Sequence, residues 1–424
     1  MSATHPLPVL MPNVAGQRWS CHSCGMCCRT LVGHLLDHEG ERLEQQGWAD
    51  KLGVAPVVRV GRGYALNKRP DGACVFLDAD NRCRIHTELG EEAKPLACRI
   101  FPFSVRPTRD GWQASLRFDC PSVIESKGAP IGQHRPLLQE LTAMMGGAQP
   151  TGGPVDLTRG VRAEQEELDT VTTRFVRWFK QKKLTMAQRL IGAARVTTTL
   201  EAATLKHVRG ERFVELLDLL FEALPAESLT SPATATPRAR GLLRQLAFAH
   251  AEHVTLAELT SGFSRLRRRW QQFRAAGRFR KGHGIVPALP GISGEARFET
   301  VEAVAANPDD RARVEDLLWR YLIARLEGRS VFGAGYYGWS VVNGLAALCL
   351  SVAAAGWIVR YIAAAEGRTM FGFDDVGLAL GIVDRAATRL PALGAVSERA
   401  RIVYVLRDDG LARLLGDFTL LGES

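Results

Sequence analysis

The motif Cys21-His-Ser-Cys24-Gly-Met-Cys27-Cys28 decides how the N-terminal part of this chain folds. Thiolates spaced by two residues on a tight turn can converge on one metal centre, and Gly25 allows the sharp bend that this needs. Single cysteines recur further along, so the chain can return to the same centre and fold around bound metal. The candidate metal ligands are eight cysteines: Cys21, Cys24, Cys27, Cys28, Cys74, Cys83, Cys98 and Cys120.

Clustered cysteines can also form disulfides, which persist in oxidising compartments. Residues 1–20 contain three prolines, a single late Arg18 and no apolar stretch of about 7–15 residues, so no secretory signal peptide is expected. A chain of 424 residues can bury a core without covalent staples. We therefore expect a cytoplasmic protein whose cysteines bind metal.

Two kinds of metal centre fit eight thiols, and the sequence leaves both open. Structural zinc is held tetrahedrally by four Cys or His side chains, so two zinc ions would use all eight thiols. Adjacent Cys27 and Cys28 are awkward for one tetrahedral ion, because neighbouring side chains diverge. The C-x2-C-x2-C spacing and the later Cys120-Pro121 pair are similar to 4Fe–4S ligation, which favours iron–sulfur over zinc. The centre is either purely structural or part of a reaction site.

Two other residues of ligand type need an interpretation. His86 follows Cys83 by three residues and is either a ligand or a hydrogen-bonded neighbour of the site, and we expect the second. Cys349, the ninth cysteine, lies in an apolar run far from the others, where a free cysteine acts as a small buried apolar side chain.

The composition of the whole chain limits its class. Hydrophobic residues make up 46% and charged residues 23%, which excludes a wholly disordered chain, a collagen-like chain and a polytopic membrane protein. The formal net charge of +9 favours acidic partners or surfaces in general, without naming nucleic acid. Residues 340–359 carry no charge and are long enough to cross a bilayer, which needs about 20 residues. They are rich in Ala, Gly and Ser and include Asn343, so we expect a buried helix and no stable membrane insertion.

The pattern along the chain predicts a mainly α protein, with a small irregular cysteine-rich metal-binding domain at residues 13–125 followed by a large helical domain at 156–424. Residues 143–155 have the Gly and Pro content of a linker, and possible subdivisions lie near 230–240 and 282–297. No strand–helix alternation indicates a large parallel sheet. Capping boxes are predicted at Thr185 with Gln188 and at Thr255 with Glu258. The expected helices include residues 171–183, 213–224, 311–327, 340–365, 374–388 and 397–415.

Two further motifs are weaker. Gly333-Ala-Gly-Tyr-Tyr-Gly338 has the GxGxxG form, but a helical pattern precedes it where a cofactor loop needs a strand, so a helix–helix turn is expected. Residues 265–281 are strongly basic with Trp270, Phe273 and Phe279 interleaved. Such a patch can neutralise phosphates and stack on bases. We expect instead a solvated helix face whose aromatic side chains pack inward, and no nucleic-acid partner.

The cysteine blocks resemble the YkgJ-type cysteine-cluster family, which is named for zinc- or iron-chelating CxxCxxCC sequences. The matching residues are 21–28, 74–78, 83–86 and 94–103. Within that group the chain is more similar to the flagellin lysine N-methylase (FliB-like) branch, through residues 83–90 and 115–121, and more weakly through 174–192 and 315–350.

This resemblance implies an iron–sulfur cluster and methyl transfer from S-adenosylmethionine to protein lysines, with a substrate such as flagellin. It assigns no catalytic residue to this sequence, and no adenosylmethionine motif is visible. Two hypotheses of different class therefore stand side by side: a lysine methyltransferase, and a zinc- or iron-chelating module with a structural or redox-active cluster and no methyl transfer.

Overall fold

The structure is a computed structural model of the full chain. It describes residues 8–11, 16–108, 110–145, 153–225, 229–230, 234–252, 255–260, 262–387 and 389–421, and the side chains of all of these except residues 262–265. Helices hold 58% of the residues, and an N-terminal part with short strands and the cysteines precedes a large helical part, so the predicted fold class is confirmed.

The N-terminal part contains short helices joined by irregular segments and small sheets. Its helices are α1 (Met26–Thr30), α2 (Asp37–Gln45), α3 (Trp48–Leu52), α4 (Arg84–Leu89), α5 (Leu96–Arg99), α6 (Pro121–Ile124) and α7 (Arg135–Met144). Its strands are β1 (Val9–Leu10), β2 (Arg18–Trp19), β3 (His34–Leu35), β4 (Val57–Val60), β5 (Gly63–Leu66), β6 (Phe103–Thr108), β7 (Gly111–Leu116), β8 (Ala129–Pro130), β9 (Asp156–Thr158) and β10 (Val161–Arg162).

The sheets among these strands are small. One has the order β1-β7-β6, another β3-β5-β4, and β2 pairs with β8 and β9 with β10. Most pairs are antiparallel; β1 runs parallel to β7 over two residues. The β6–β7 hairpin is the longest pairing, and it leads directly into Cys120, so it sets where that cysteine lies.

The helical part begins at residue 165. Its helices are α8 (Gln165–Phe179), α9 (Met186–Ala202), α10 (Glu211–Glu222), α11 (Pro237–Ala251), α12 (Leu256–Thr260), α13 (Gly262–Lys281), α14 (Phe298–Ala303), α15 (Arg311–Glu327), α16 (Val341–Ala365), α17 (Phe373–Ala386), α18 (Val396–Val405) and α19 (Gly410–Asp417). Two short strands, β11 (Ala305–Ala306) and β12 (Met370–Phe371), pair in parallel beside them.

Most of the predicted helices are confirmed, and both capping boxes form. Thr185 Oγ1 accepts from the Gln188 backbone N–H. Likewise, Thr255 Oγ1 accepts from the Glu258 backbone N–H, and the Thr255 N–H donates to the Glu258 carboxylate. The expected single helix over 397–415 is wrong, because Asp408 and Asp409 adopt left-handed backbone angles that separate α18 from α19. Residues 282–297 contain no helix, as expected of a loop.

Two predicted breaks fall partly on residues outside the described part. Residues 146–152 of the proposed linker and residues 231–233 of the proposed break are outside it. Pro237 is the first residue of α11, and Thr236 caps that helix by accepting from the Ala239 N–H. The division at 13–125 and 156–424 stays a prediction.

Helix α16 lies at the centre of the helical part, and all but its last residue are buried. It is long and apolar enough to cross a bilayer, yet its apolar window is fully covered by protein, so the expectation of a buried helix is confirmed. Cys349 lies within it, also buried as expected. The Gly333–Gly338 loop joins α15 to α16, which confirms a helix–helix turn; a side chain at Gly335 would collide with the Arg329 carbonyl.

Two hydrophobic cores divide the molecule. The smaller one lies in the cysteine region and includes Leu43, Trp48 and Phe76, with Trp48 and Phe76 in edge-to-face contact at 5.1 Å between ring centroids. The larger one combines the helical part with the β6–β7 hairpin and the residues around Cys120 and Ile124. Cys120 is therefore packed with the helical part, while Cys74 is packed with the small core.

Candidate metal centre

Five of the eight candidate cysteines are neighbours around the small core. Cys27 and Cys28 lie in α1, Cys83 precedes α4 and Cys98 lies in α5, while Cys74 lies in a loop beside them. The Sγ atoms of Cys27 and Cys28 are 3.9 Å apart. The backbone fixes the loop as well, because the Cys74 N–H donates to the Cys28 carbonyl at 2.9 Å.

The turn before α1 makes this arrangement possible. Gly25 has a φ of +69°, a left-handed conformation that L side chains rarely adopt. A Cβ atom there would also lie 3.0 Å from Oδ1 of Asn81, which itself accepts from Arg29 at 2.8 Å. Glycine therefore lets the motif lie against the loop that carries Asn81 and Cys83, as the sequence predicted of the bend.

Burial and neighbouring thiols raise the pKa values of three of these cysteines. A hydrogen bond with Cys28, burial and the charge of Cys28 raise the pKa of Cys27. Burial raises the pKa of Cys98, and the charges of Cys74 and Cys83 raise it further. Burial also raises the pKa of Cys74. A cation bound among them would offset both the free-energy cost of burying the thiolates and their mutual repulsion.

The five thiols are neighbours and not a closed ligand shell. Within the described residues, no group of three or more His, Cys, Asp or Glu side chains is arranged so that it could hold an ion as it stands. Metal binding would therefore include a final movement of side chains, as is usual where binding is coupled to folding.

Cys120 packs with the helical part and lies within electrostatic range of Cys24. The charge of Cys24 contributes to the raised pKa of Cys120, which burial takes to about 12. Nδ1 of His22 lies 2.9 Å from Oγ of Ser122, so the motif's first turn lies against the start of α6. Cys21 and Cys24 are exposed.

His86 lies beside the site and contacts a carboxylate. Its Nδ1 is 3.1 Å from Glu91, and the side chain is largely exposed. The contact with Glu91 agrees with a hydrogen-bonded neighbour of the site, and the expectation that His86 is not a ligand stays a prediction.

Two lysines, Lys68 and Lys94, lie beside the thiols, and neither was predicted from the sequence to have a role. Nζ of Lys68 donates to the Cys28 carbonyl at 2.7 Å, and burial lowers the Lys68 pKa while the charges of the nearby thiolates oppose that shift. Lys94 binds Glu91 at 3.0 Å and lies within the field of Cys98 and Cys83. Lys94 could have been noticed from the sequence, because it lies in residues 94–103, a block that resembles the cysteine-cluster family. Lys68 lies outside every such block, and only the fold brings it to the site.

A network of charges attaches the Cys120 segment to the helical part. The Phe118 N–H donates to Asp384 of α17 at 2.8 Å, and the other Asp384 oxygen pairs with Arg325 of α15 at 3.2 Å. Asp119 is buried and pairs with Arg117. The close approach depends on Gly381, where a Cβ atom would lie 3.2 Å from the Phe118 carbonyl.

Arg320 of α15 completes this attachment. Its guanidinium donates to the carbonyls of Val123 at 2.9 Å and Ile124 at 2.8 Å, the last two residues of α6. These are carbonyls that a helix end leaves without internal partners, so Arg320 holds α6 and the preceding Cys120 against the helical part.

Comparison with known proteins supports the metal-binding interpretation. Residues 20–121 match the family model CxxCxxCC, described as "Putative zinc- or iron-chelating domain". An uncharacterized protein of Methanocaldococcus jannaschii is 34% identical over 96 residues, which cover 23% of this chain and 33% of that protein. No solved structure matches the chain. The comparisons thus support a cysteine-cluster metal-binding domain at residues 20–121 and a metal cofactor.

Proposed function

We propose that the protein holds a 4Fe–4S cluster through thiolates drawn from Cys27, Cys28, Cys74, Cys83 and Cys98. The observation that carries the proposal is the set of neighbouring thiols, which offers the four sulfur ligands that a 4Fe–4S cluster needs. An all-sulfur donor set suits iron–sulfur clusters. When bound, the cluster would supply a structural or redox-active centre, and Cys21, Cys24 and Cys120 remain candidate ligands of the same or a second centre.

The two lysines support a centre with net negative charge. Several thiolates held in one partly buried place repel one another. The Lys68 ammonium is fixed beside Cys28 by its bond to the carbonyl, and the Lys94 ammonium lies near Cys98. Both offset the negative charge that a thiolate-ligated cluster brings.

Metal analysis tests this proposal directly. Protein purified without oxygen is expected to be brown and to contain iron and acid-labile sulfide in about equal amounts, as a 4Fe–4S cluster requires. A colourless preparation that contains zinc alone would overturn the iron–sulfur assignment and favour the alternative, a zinc-chelating module.

We further propose, from the resemblance to lysine N-methylases, that the helical part transfers a methyl group from S-adenosylmethionine to lysines of a protein such as flagellin. The neutral amine would attack the methyl carbon, the carbon–sulfur bond would break, and the amine proton would pass to an acceptor. Phe118, in the block 115–121 that carries part of the resemblance, donates to Asp384 of α17, and Arg320 of α15 binds Val123 just beyond that block. Through these contacts the cysteine region is attached directly to the helical part, which would hold the methyl-transfer site.

A binding measurement separates methylation from metal binding. S-adenosylmethionine at 100 times its dissociation constant is expected to stabilise the folded protein by about 2.7 kcal/mol, and hence to raise its melting temperature. Labelled methyl groups should then appear on lysines of added flagellin. A metal-loaded protein that shows neither result would be a metal-binding module without this activity.

A further inference from the structure

Among its described side chains, helix α13 has a face that packs against the rest of the protein. Glu252 and Glu258 both pair with Arg268, and Gln272 donates to Glu252 at 2.9 Å. Further along, Phe279 is fully buried. These contacts lie on one side of the helix, which packs against α11.

The opposite face of α13 is exposed and apolar at its centre. Leu266 is 68% exposed, Trp270 60% and Phe273 80%. At about 100° per residue these three side chains fall within about 60° of one another on the helix. The expectation that the aromatic residues of 265–281 pack inward is therefore correct for Phe279 and wrong for Trp270 and Phe273.

Arginines border this apolar stripe on both sides. Arg269 lies on one side and Arg267 and Arg274 on the other, all exposed, and the Arg274 guanidinium lies 4.8 Å from the centre of the Trp270 ring. The α13 sequence holds eight basic residues and no acidic residue. A helix with an apolar stripe between cationic borders has the form of a helix that lies in a membrane interface, with arginine heads reaching the lipid phosphates.

We propose that the Leu266–Trp270–Phe273 face of α13 docks on the surface of an anionic lipid bilayer. Charge complementarity selects this occupant: cationic borders meet anionic headgroups, while the apolar stripe enters the boundary of the acyl chains. The contact is peripheral, so it needs no helix that crosses the membrane. It is independent of the proposed metal centre and of methyl transfer.

Other occupants fit the face less well. A second copy of the chain would bring the same arginines together, and their repulsion opposes that contact. A single-stranded nucleic acid would stack on Trp270 and Phe273 and bind the arginines. It offers nothing to Leu266, since an aliphatic side chain provides no ring for stacking, whereas a bilayer buries all three.

Co-sedimentation of the full-length protein with lipid vesicles tests the proposal. The protein is expected to sediment with phosphatidylcholine vesicles containing phosphatidylglycerol and not with pure phosphatidylcholine vesicles. Binding should weaken in 1 M salt, which shortens the screening length to about 3 Å. The double variant Trp270→Ser/Phe273→Ser should bind about tenfold or more weakly. Arg267→Gln/Arg269→Gln should bind about 30-fold more weakly, at about fivefold per charge.

Matched controls use side chains elsewhere on the surface. Leu219 and Val396 are exposed apolar residues, at 61% and 82%, and their serine double variant should bind as the unmodified protein does. Exposed Arg159 and Arg212 provide the control for charge. Absence of binding to anionic vesicles, equal binding to neutral ones, or unchanged binding by both α13 variants would overturn the proposal. Tighter binding to a single-stranded oligonucleotide than to vesicles would also overturn it, in favour of nucleic acid.

Discussion

Replacing Cys74 by serine tests whether the neighbouring thiols hold the metal. Cys74 is buried beside Cys27, Cys83 and Cys98, and serine has nearly the same shape. A serine hydroxyl stays protonated and is a poor ligand for soft metals, so the change removes one donor with little change in packing.

The size of the effect follows from the number of ligands. Structural zinc sites with four ligands provide about 10–16 kcal/mol of binding free energy at neutral pH, which is about 3 kcal/mol for each ligand. Loss of one ligand should therefore weaken metal binding by about 100-fold or more. A spare thiol among the five could take over the position, in which case the loss would be smaller and a double variant with Cys98 would be needed to reach it.

Cys349 provides the matched control. It is also buried, but it lies in α16 among apolar residues. Cys349→Ser should cost about 1–3 kcal/mol of stability by burying a hydroxyl group, and should leave the metal content unchanged.

Competition with a chromophoric chelator and elemental analysis would measure both variants. If the Cys74→Ser and Cys74→Ser/Cys98→Ser proteins are folded and bind metal as tightly as the unmodified protein, the thiols around the small core do not hold it. The centre would then have to be sought at Cys24 and Cys120.

Three other outcomes are expected. Cys24→Ser should lower the metal content, since Cys24 belongs to the CxxC motif; unchanged content would show that Cys24 is not a ligand. Burial lowers the pKa of His250 from 6.5 to about 4, so the unfolded chain takes up a proton at a higher pH than the folded protein does. About 3 kcal/mol of stability should therefore be lost as the pH falls from 6.5 to 4. In urea unfolding, the stability of His250→Gln should depend less on pH, and an equal slope for both proteins would show that His250 is not the group responsible. Arg320→Met removes two charged hydrogen bonds to the end of α6 and should lower the free energy of unfolding by about 3–5 kcal/mol in the same assay. Arg313→Met, on the exposed side of α15, should lower it by about 1 kcal/mol or less. Similar losses of stability for both variants would show that the α6 contact is not the cause.

The sequence predicted those features that depend on neighbours along the chain. Helix α15 has the predicted bounds, and the boxes at Thr185 and Thr255 cap as expected, because periodicity and capping act within a few residues. The break at Asp408 and Asp409 was missed, since both residues hold left-handed angles that nothing in the local pattern requires.

The candidate site was predictable as a set of residues and not as an arrangement. Spacing alone indicated a cysteine cluster and a metal cofactor, and the matched domain at residues 20–121 supports both; the set of eight ligands stays a prediction. Spacing could not show that five thiols gather around the small core while Cys120 packs with the helical part. That separation arises because the β6–β7 hairpin and Asp384 attach the Cys120 segment to helices more than 200 residues further along.

The sequence by itself therefore determined the fold class, most helices and which residues are candidate metal ligands, because these follow from local hydrogen bonding and from the donor atoms present. Only the tertiary structure decided which thiols meet, that Lys68 faces them, and that Trp270 and Phe273 point to solvent. The physical reason is the same in each case. Burial depends on which surfaces of distant segments cover one another, and a helical repeat gives the faces of a helix without naming the face that will be covered.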